Sequence, residues 1–177
     1  METNTVSSKN VMEMLTVANE YCHFIEKAHE YETKDILDYL QKMFSLLNLK
    51  GALLPVVEVQ VPEANERFVT EQTWESIFNE LRNKFKPNDE FWVMDHVDFK
   101  DNEPIKASLA DNLTDIYQDL KDFVLLYAKG TDAAKENAVH DCRLFFQTHW
   151  GYRLVQSQKY IHHLINADIK KQQNDIY

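Results

Sequence analysis

The chain has 177 residues, 44% hydrophobic and 12% aromatic, with only 3 glycines and 4 prolines. That composition suits one domain of long helices whose core needs no disulfide or metal staple. A formal net charge of -10 excludes a sequence-independent grip on nucleic acid and docking on an anionic membrane, both of which need cations.

The opening "METNTVSSKN" is polar and lacks the apolar core of a signal peptide. A first helix is expected over about 8–29, with Val11, Leu15, Ala18, Cys22, Ile25 and His29 on one stripe. His29 therefore reads as a core histidine. A second helix follows Thr33 as N-cap, burying Ile36, Leu40, Met43, Phe44 and Leu47, and ends at Gly51 and Pro55. "PVVEVQVPEANERF" alternates Val57, Val59 and Val61 between prolines; it reads as an extended connector and divides an 8–54 hairpin from a 68–168 bundle. Thr70 caps a third helix with Trp74, Ile77, Phe78, Leu81 and Phe85 inward, stopped by Pro87.

Residues 88–105 read as an irregular loop, acidic and aromatic. A fourth helix is expected over about 106–129, closed by Gly130 as a left-handed cap. The last helical stretch starts after Thr131 or Asp132 and bends or breaks near Trp150-Gly151. Residues 1–7 and 169–177 are expected to fray. Cys22 and Cys142 lie on apolar stripes and read as buried, unpaired thiols of a cytoplasmic protein. No run reaches bilayer length.

The fourth helix poses the functional question. Asp111, Asp115, Asp119 and Asp122 stand one turn apart. With Leu109 at zero, Leu113, Ile116, Leu120, Phe123 and Tyr127 fall within about 40° and the aspartates at roughly 200–280°. The row lies opposite the apolar stripe and reads as a solvated face. On that reading, replacing Asp115, Asp119 and Asp122 by Asn leaves the melting temperature unchanged or slightly raised. Two alternatives stay open. One is a Mg²⁺ or Mn²⁺ site on Asp115, Asp119 and Asp122 in a hydrolase of a nucleotide or other small molecule. The other is a face for a partner. Leu125 and Leu126 sit off the stripe, so a second cover is required; the N-terminal hairpin is expected to supply it, giving a monomer or weak homodimer.

Other chemistry is sparse. The sequence has no HExxH, no Cys-x-x-Cys and no glycine-rich phosphate loop. Asp95, His96 and Asp98 gather in the acidic-aromatic loop as candidate binding residues. Tyr117, at the edge of the apolar stripe, can bury its ring and leave its hydroxyl for a bond at the rim. Trp150-Gly151 reads as packing.

Three blocks, "ANERFVTEQTWE" (64–75), "ASLADNLTDIYQDLKDFV" (107–124) and "HWGYRLV" (149–155), together resemble an uncharacterised bacterial family catalogued as a domain of unknown function. The resemblance covers about residues 10–166. It implies a small, mostly helical cytosolic protein and carries over no catalytic residue. The reading is thus one all-α domain of five or six helices over 1–177. Its expected role is that of a non-enzymatic interaction or structural module with an unknown protein partner. It is expected to hold no cofactor.

Overall fold

The fourth helix, α4 (Leu109–Ala128), is the hub. The structure, a computed structural model, describes residues 5–94 and 103–174, with side chains as far as 167. Four further helices pack around α4: α1 (Lys9–Glu26), α3 (Glu71–Phe85), α5 (Asp132–Thr148) and α6 (Trp150–Asn174). Between α1 and α6 lies α2 (Thr33–Ala52). The expected stripe of α4 is buried, from Leu109 through Leu113, Ile116 and Leu120 to Phe123. So is much of its other side, where Asn112, Asp119, Asp122 and Leu126 are also buried. A helix surrounded this way must satisfy its polar side chains inside the fold, because an unpaired buried charge is costly.

The N-terminal pair follows its apolar periodicity. Helix α1 buries Val11, Met14, Ala18, Cys22 and Ile25, and α2 buries Ile36, Leu40, Phe44 and Leu47. Tyr21, fully buried, donates its hydroxyl proton to the Leu113 carbonyl at 2.8 Å, tying α1 to the hub. Three local expectations are corrected. His29 is exposed, on a short 3-10 turn (Ala28–Glu30) that follows α1. Thr33 is the first helical residue of α2, and its hydroxyl donates to the Lys84 carbonyl at 2.8 Å rather than capping. Gly51 does not end α2. A Cβ there would stand 2.6 Å from both the Phe146 and Trp150 rings, so the missing side chain lets α5 and α6 come close.

Residues 53–70 are extended apart from a 3-10 turn at Pro62–Ala64, and no strand forms from the valines. Polar bonds lash this connector to α5. Asn137 Nδ2 donates to the Val61 carbonyl at 2.9 Å, the Gln60 amide to Glu136 at 3.1 Å, and Asn65 Nδ2 to Asp141 at 2.8 Å. The connector and α5 together cover Leu126, beside Ala138 and Cys142. The expected cover by the N-terminal pair is shared: that pair, through the turn that precedes it, reaches the same end of α4 at Tyr127, whose hydroxyl donates to the Val6 carbonyl at 2.9 Å. Leu125 is half-buried.

Thr70 caps α3 as expected, accepting from the Thr73 amide at 3.2 Å. The 88–105 stretch is not wholly irregular. It contains β1 (Glu90–Met94) and the start of β2 (Pro104–Ser108), which runs on through the expected first turn of the fourth helix, so α4 begins at Leu109; the strands pair antiparallel with Glu90 opposite Ser108 and Met94 opposite Pro104. "EFWVM" is a good strand sequence, rich in aromatic and β-branched residues. Its partner "PIKAS" carries little signal of its own. Thr131 caps α5, and Gly130 at φ +82° adopts the left-handed form that closes α4. The expected break falls at His149, between α5 and α6. Trp150 is fully buried and donates its indole N–H to the Cys142 carbonyl at 3.0 Å. Gly151 packs so tightly on Phe146 that no Cβ fits. The backbone of α6 is helical to Asn174, beyond the expected frayed start at 169. Both cysteines are buried and free, and burial pushes both thiols far above their ordinary range.

Candidate functional site

The aspartate row of α4 does not face water. Asp119 and Asp122 are only 7% and 3% exposed, and Asp115 is largely covered. The solvated-face reading is corrected here, and the reason is tertiary. The connector, α3 and the α5–α6 junction close over the side opposite the apolar stripe. Each brings a donor.

Asp122 is held by the connector. Its Oδ1 accepts from the Phe68 and Val69 amides at 2.7 and 3.0 Å, and its Oδ2 pairs with Arg67 Nη1 at 3.1 Å. Arg67 also lies 3.8 Å from Asp119 and stacks over the Phe145 ring at 4.6 Å. Asp115 receives the Trp74 indole N–H at 2.9 Å and Arg153 Nη2 at 2.8 Å. Arg153 Nη1 donates to Asn112 Oδ1 at 3.0 Å and lies 3.5 Å from Asp111. The four carboxylates thus share two arginines, an indole, two backbone amides and one histidine. Neutralising the row this way replaces the mutual repulsion that an isolated helix would suffer.

His149 stands between two carboxylates of the row. Its Nδ1 donates to Asp119 Oδ2 at 2.5 Å, its Nε2 lies 3.7 Å from Asp115 Oδ2, and Arg153 Nε donates to that same Nε2 at 3.2 Å. The bond to Asp119 raises its pKa, against the opposing effect of burial. In the neutral ring Nε2 accepts from Arg153; in the charged ring it turns a proton toward Asp115. Asp111 is also raised, chiefly by burial and then by the charge of Asp115. Sequence reasoning missed His149, Arg153 and Arg67 as members. Arg67 lies 55 residues from Asp122, too far for any local pattern to link them. The i, i+4 pair His149–Arg153 in "HWGYR" was the available signal.

The structure brings Asp115, Asp119 and Asp122 into one network, as salt-bridged and hydrogen-bonded acceptors. Among the described residues no group of three or more His, Cys, Asp and Glu side chains is arranged to hold a metal ion. Tyr117 behaves as read from the wheel. Its ring is buried and its hydroxyl donates to Glu26 at 2.8 Å, with Lys121 on the same carboxylate at 2.7 Å. Asp95, His96 and Asp98 lie outside the described residues.

Two depressions adjoin the network. A polar cleft of about 500 Å³ is lined by Asp111, His149, Tyr152 and Arg153 together with Arg82 and Lys106. An apolar groove of about 690 Å³ lies between β1 and α6. The hairpin and α6 leave large apolar side chains in water around these depressions: Trp92 at 67% exposure, with Met94, Ile105, Tyr152 and Val155 also exposed. No helix among the described residues is long and apolar enough to cross a membrane.

The fold has a solved counterpart. The chain is similar to protein BF1032 from Bacteroides fragilis, a structural-genomics crystal structure, with a TM-score of 0.81 and 30% identity. The match covers 90% of this chain and 94% of that one. None of the curated proteins matches this chain. A family profile described as a domain of unknown function (DUF5063) matches residues 5–167. That span takes in the network, the hairpin, α1 to α5 and most of α6, and the chain belongs to this family.

Proposed function

We propose that the protein is a non-enzymatic helical interaction module, cytoplasmic and monomeric or weakly dimeric, whose recognition face is the hairpin together with the exposed side of α6. One observation carries the reading. Trp92, Met94, Ile105, Tyr152 and Val155 are all exposed around one pair of depressions. Clustered exposed apolar side chains of this kind mark interaction sites. The alternative, a Mg²⁺- or Mn²⁺-dependent hydrolase using Asp115, Asp119 and Asp122, draws less support. Those carboxylates already accept from Arg67, Arg153, Trp74, His149 and two backbone amides.

Two measurements on the full chain separate the readings. The apolar fluorophore bis-ANS is expected to bind the native protein and to lose most of its signal in Trp92→Ser/Val155→Ser. Incubation with nucleoside triphosphates and p-nitrophenyl phosphate, with Mg²⁺ or Mn²⁺, is expected to give no turnover. Metal-dependent turnover that disappears in Asp119→Asn while the fold persists would overturn the module reading in favour of the hydrolase.

A further inference from the structure

We infer that the outward face of α2 is the seam of a weak homodimer, in which this helix packs antiparallel against the same helix of a second copy of the chain. The seam shares no residue with the hairpin–α6 surface, so its use does not depend on that surface being a recognition face.

The outward face of α2 changes character along its length. Its first half exposes Lys34, Asp35, Asp38 and Lys42. After Lys42 the exposed positions are Ser45, Leu46, Leu49, Ala52 and Leu53, and none is charged. Lys50 stands to one side, held by Glu13 of α1 at 2.7 Å. Leu46, Leu49 and Leu53 are 40%, 53% and 43% exposed. One exposed leucine is ordinary in a soluble protein. Three on one line are a patch. With Leu49 at zero, Lys42 falls at about 20°, Leu53 at about 40° and Leu46 at about 60° on the helical wheel. Leu53 is the C-cap and keeps helical backbone, so it continues the row.

Spacing identifies the occupant. The steps from Lys42 to Leu46, Leu49 and Leu53 are four, three and four residues. That alternation is the one by which two helices pack side by side at a small angle. It also reads the same in both directions. Laid antiparallel on a copy of itself, the row matches residue for residue. Leu46 meets the partner's Leu49, Leu49 meets the partner's Leu46, and at each end Lys42 meets the partner's Leu53. Such self-complementarity about a twofold axis is what a homodimer interface requires.

Charge points the same way. Two copies of net charge -10 repel each other, and contact is least opposed where it brings no carboxylates together. The row from Lys42 to Leu53 carries none. Lys42, held by Asp38 at 2.7 Å, would lay its apolar stem over the partner's Leu53. Its ammonium would then stand beside the last turn of the partner's helix, where the carbonyls carry partial negative charge. The row is only about 17 Å long at 1.5 Å per residue, and an interface this short belongs to the weak, transient class.

Sedimentation velocity on the full chain, from low micromolar to near-millimolar concentration, is expected to show a monomer–dimer equilibrium. Two variants read the register, Leu46→Lys/Leu49→Lys and Leu46→Glu/Leu49→Glu. Both positions are exposed, so each variant is expected to keep the circular dichroism of the wild type. Each alone is expected to dimerise at least about tenfold more weakly, because like charges then meet across the seam. Mixed one to one, the two are expected to associate with each other, because the substituted positions then face one another with opposite charge. Lys42→Glu leaves the leucines intact and is expected to weaken the dimer about fivefold or more by turning a carboxylate toward the partner's helix end. A wild type that stays monomeric at every concentration would overturn the proposal. So would dimerisation that survives in both double variants, folded variants that do not associate when mixed, or an equilibrium unchanged in Lys42→Glu. A dimer lost in Trp92→Ser/Val155→Ser and kept in the α2 variants would put the second copy on the hairpin–α6 surface and overturn it likewise.

Discussion

The aspartate row of α4 and the hairpin–α6 surface break the usual division of side chains in opposite ways. In the row, Asp115, Asp119 and Asp122 are inside and Asp111 stands at the rim, and every one has a cation, an indole or an amide within reach. At the hairpin, large apolar groups are outside, and Trp92 is two-thirds exposed. The contrast teaches where to look for function. A buried charge with complete partners stabilises the architecture and loses heavily when one partner goes. An exposed apolar cluster contributes little to the folded chain by itself and is available for another surface to cover.

The largest expected effect is at Asp122. Asp122→Ala removes the acceptor of two backbone amides and the partner of Arg67. A loss of roughly 3 kcal/mol is expected in urea unfolding, because those donors are left without a partner. This reverses the expectation for Asn substitutions drawn from the solvated-face reading. An unchanged urea midpoint would show that the row is tolerant and that the contrast with the hairpin is false. Trp74→Phe comes next. It keeps the ring and deletes the indole bond to Asp115, for an expected loss of about 1.5–3 kcal/mol, the range for a hydrogen bond to a charged group.

A smaller effect, confined by pH, belongs to His149. Its folded pKa is raised above the ordinary 6.5. Its charged form therefore adds stability that is fully present below the unfolded value and is lost as pH rises through the raised folded value. The stability difference between wild type and His149→Gln, followed by chemical unfolding, is expected to narrow as pH rises from the acid side of 6.5 to well above it. A difference that widens would contradict the assigned direction. The smallest effect is expected at the hairpin. Trp92→Ser should change stability by no more than about 1 kcal/mol, the range for an exposed cation–π contact such as the one Lys106 Nζ makes over its ring at 5.8 Å. A large loss there would mean that Trp92 belongs to the core and that the apolar surface is structural.

Periodicity alone determined much of this molecule. The buried stripes of α1, α2 and α4, the caps at Thr70 and Thr131, the left-handed Gly130 and the break near Trp150 were all legible, because each depends on residues within a few positions of one another. The placement of Tyr117 was legible for the same reason. What only the tertiary structure decided is the environment of the second side of α4. A helical wheel marks one apolar stripe and assigns the rest to water. It cannot foresee that Arg67, Trp74, His149 and Arg153 will arrive from three separate elements to cover that side. The hairpin escaped for a related reason. Its strands are five residues each and are not adjacent in sequence, and a strand as unremarkable as "PIKAS" is defined by what it pairs with. Local patterns specify elements through short-range geometry; the burial of a charge depends on partners that are near only after folding.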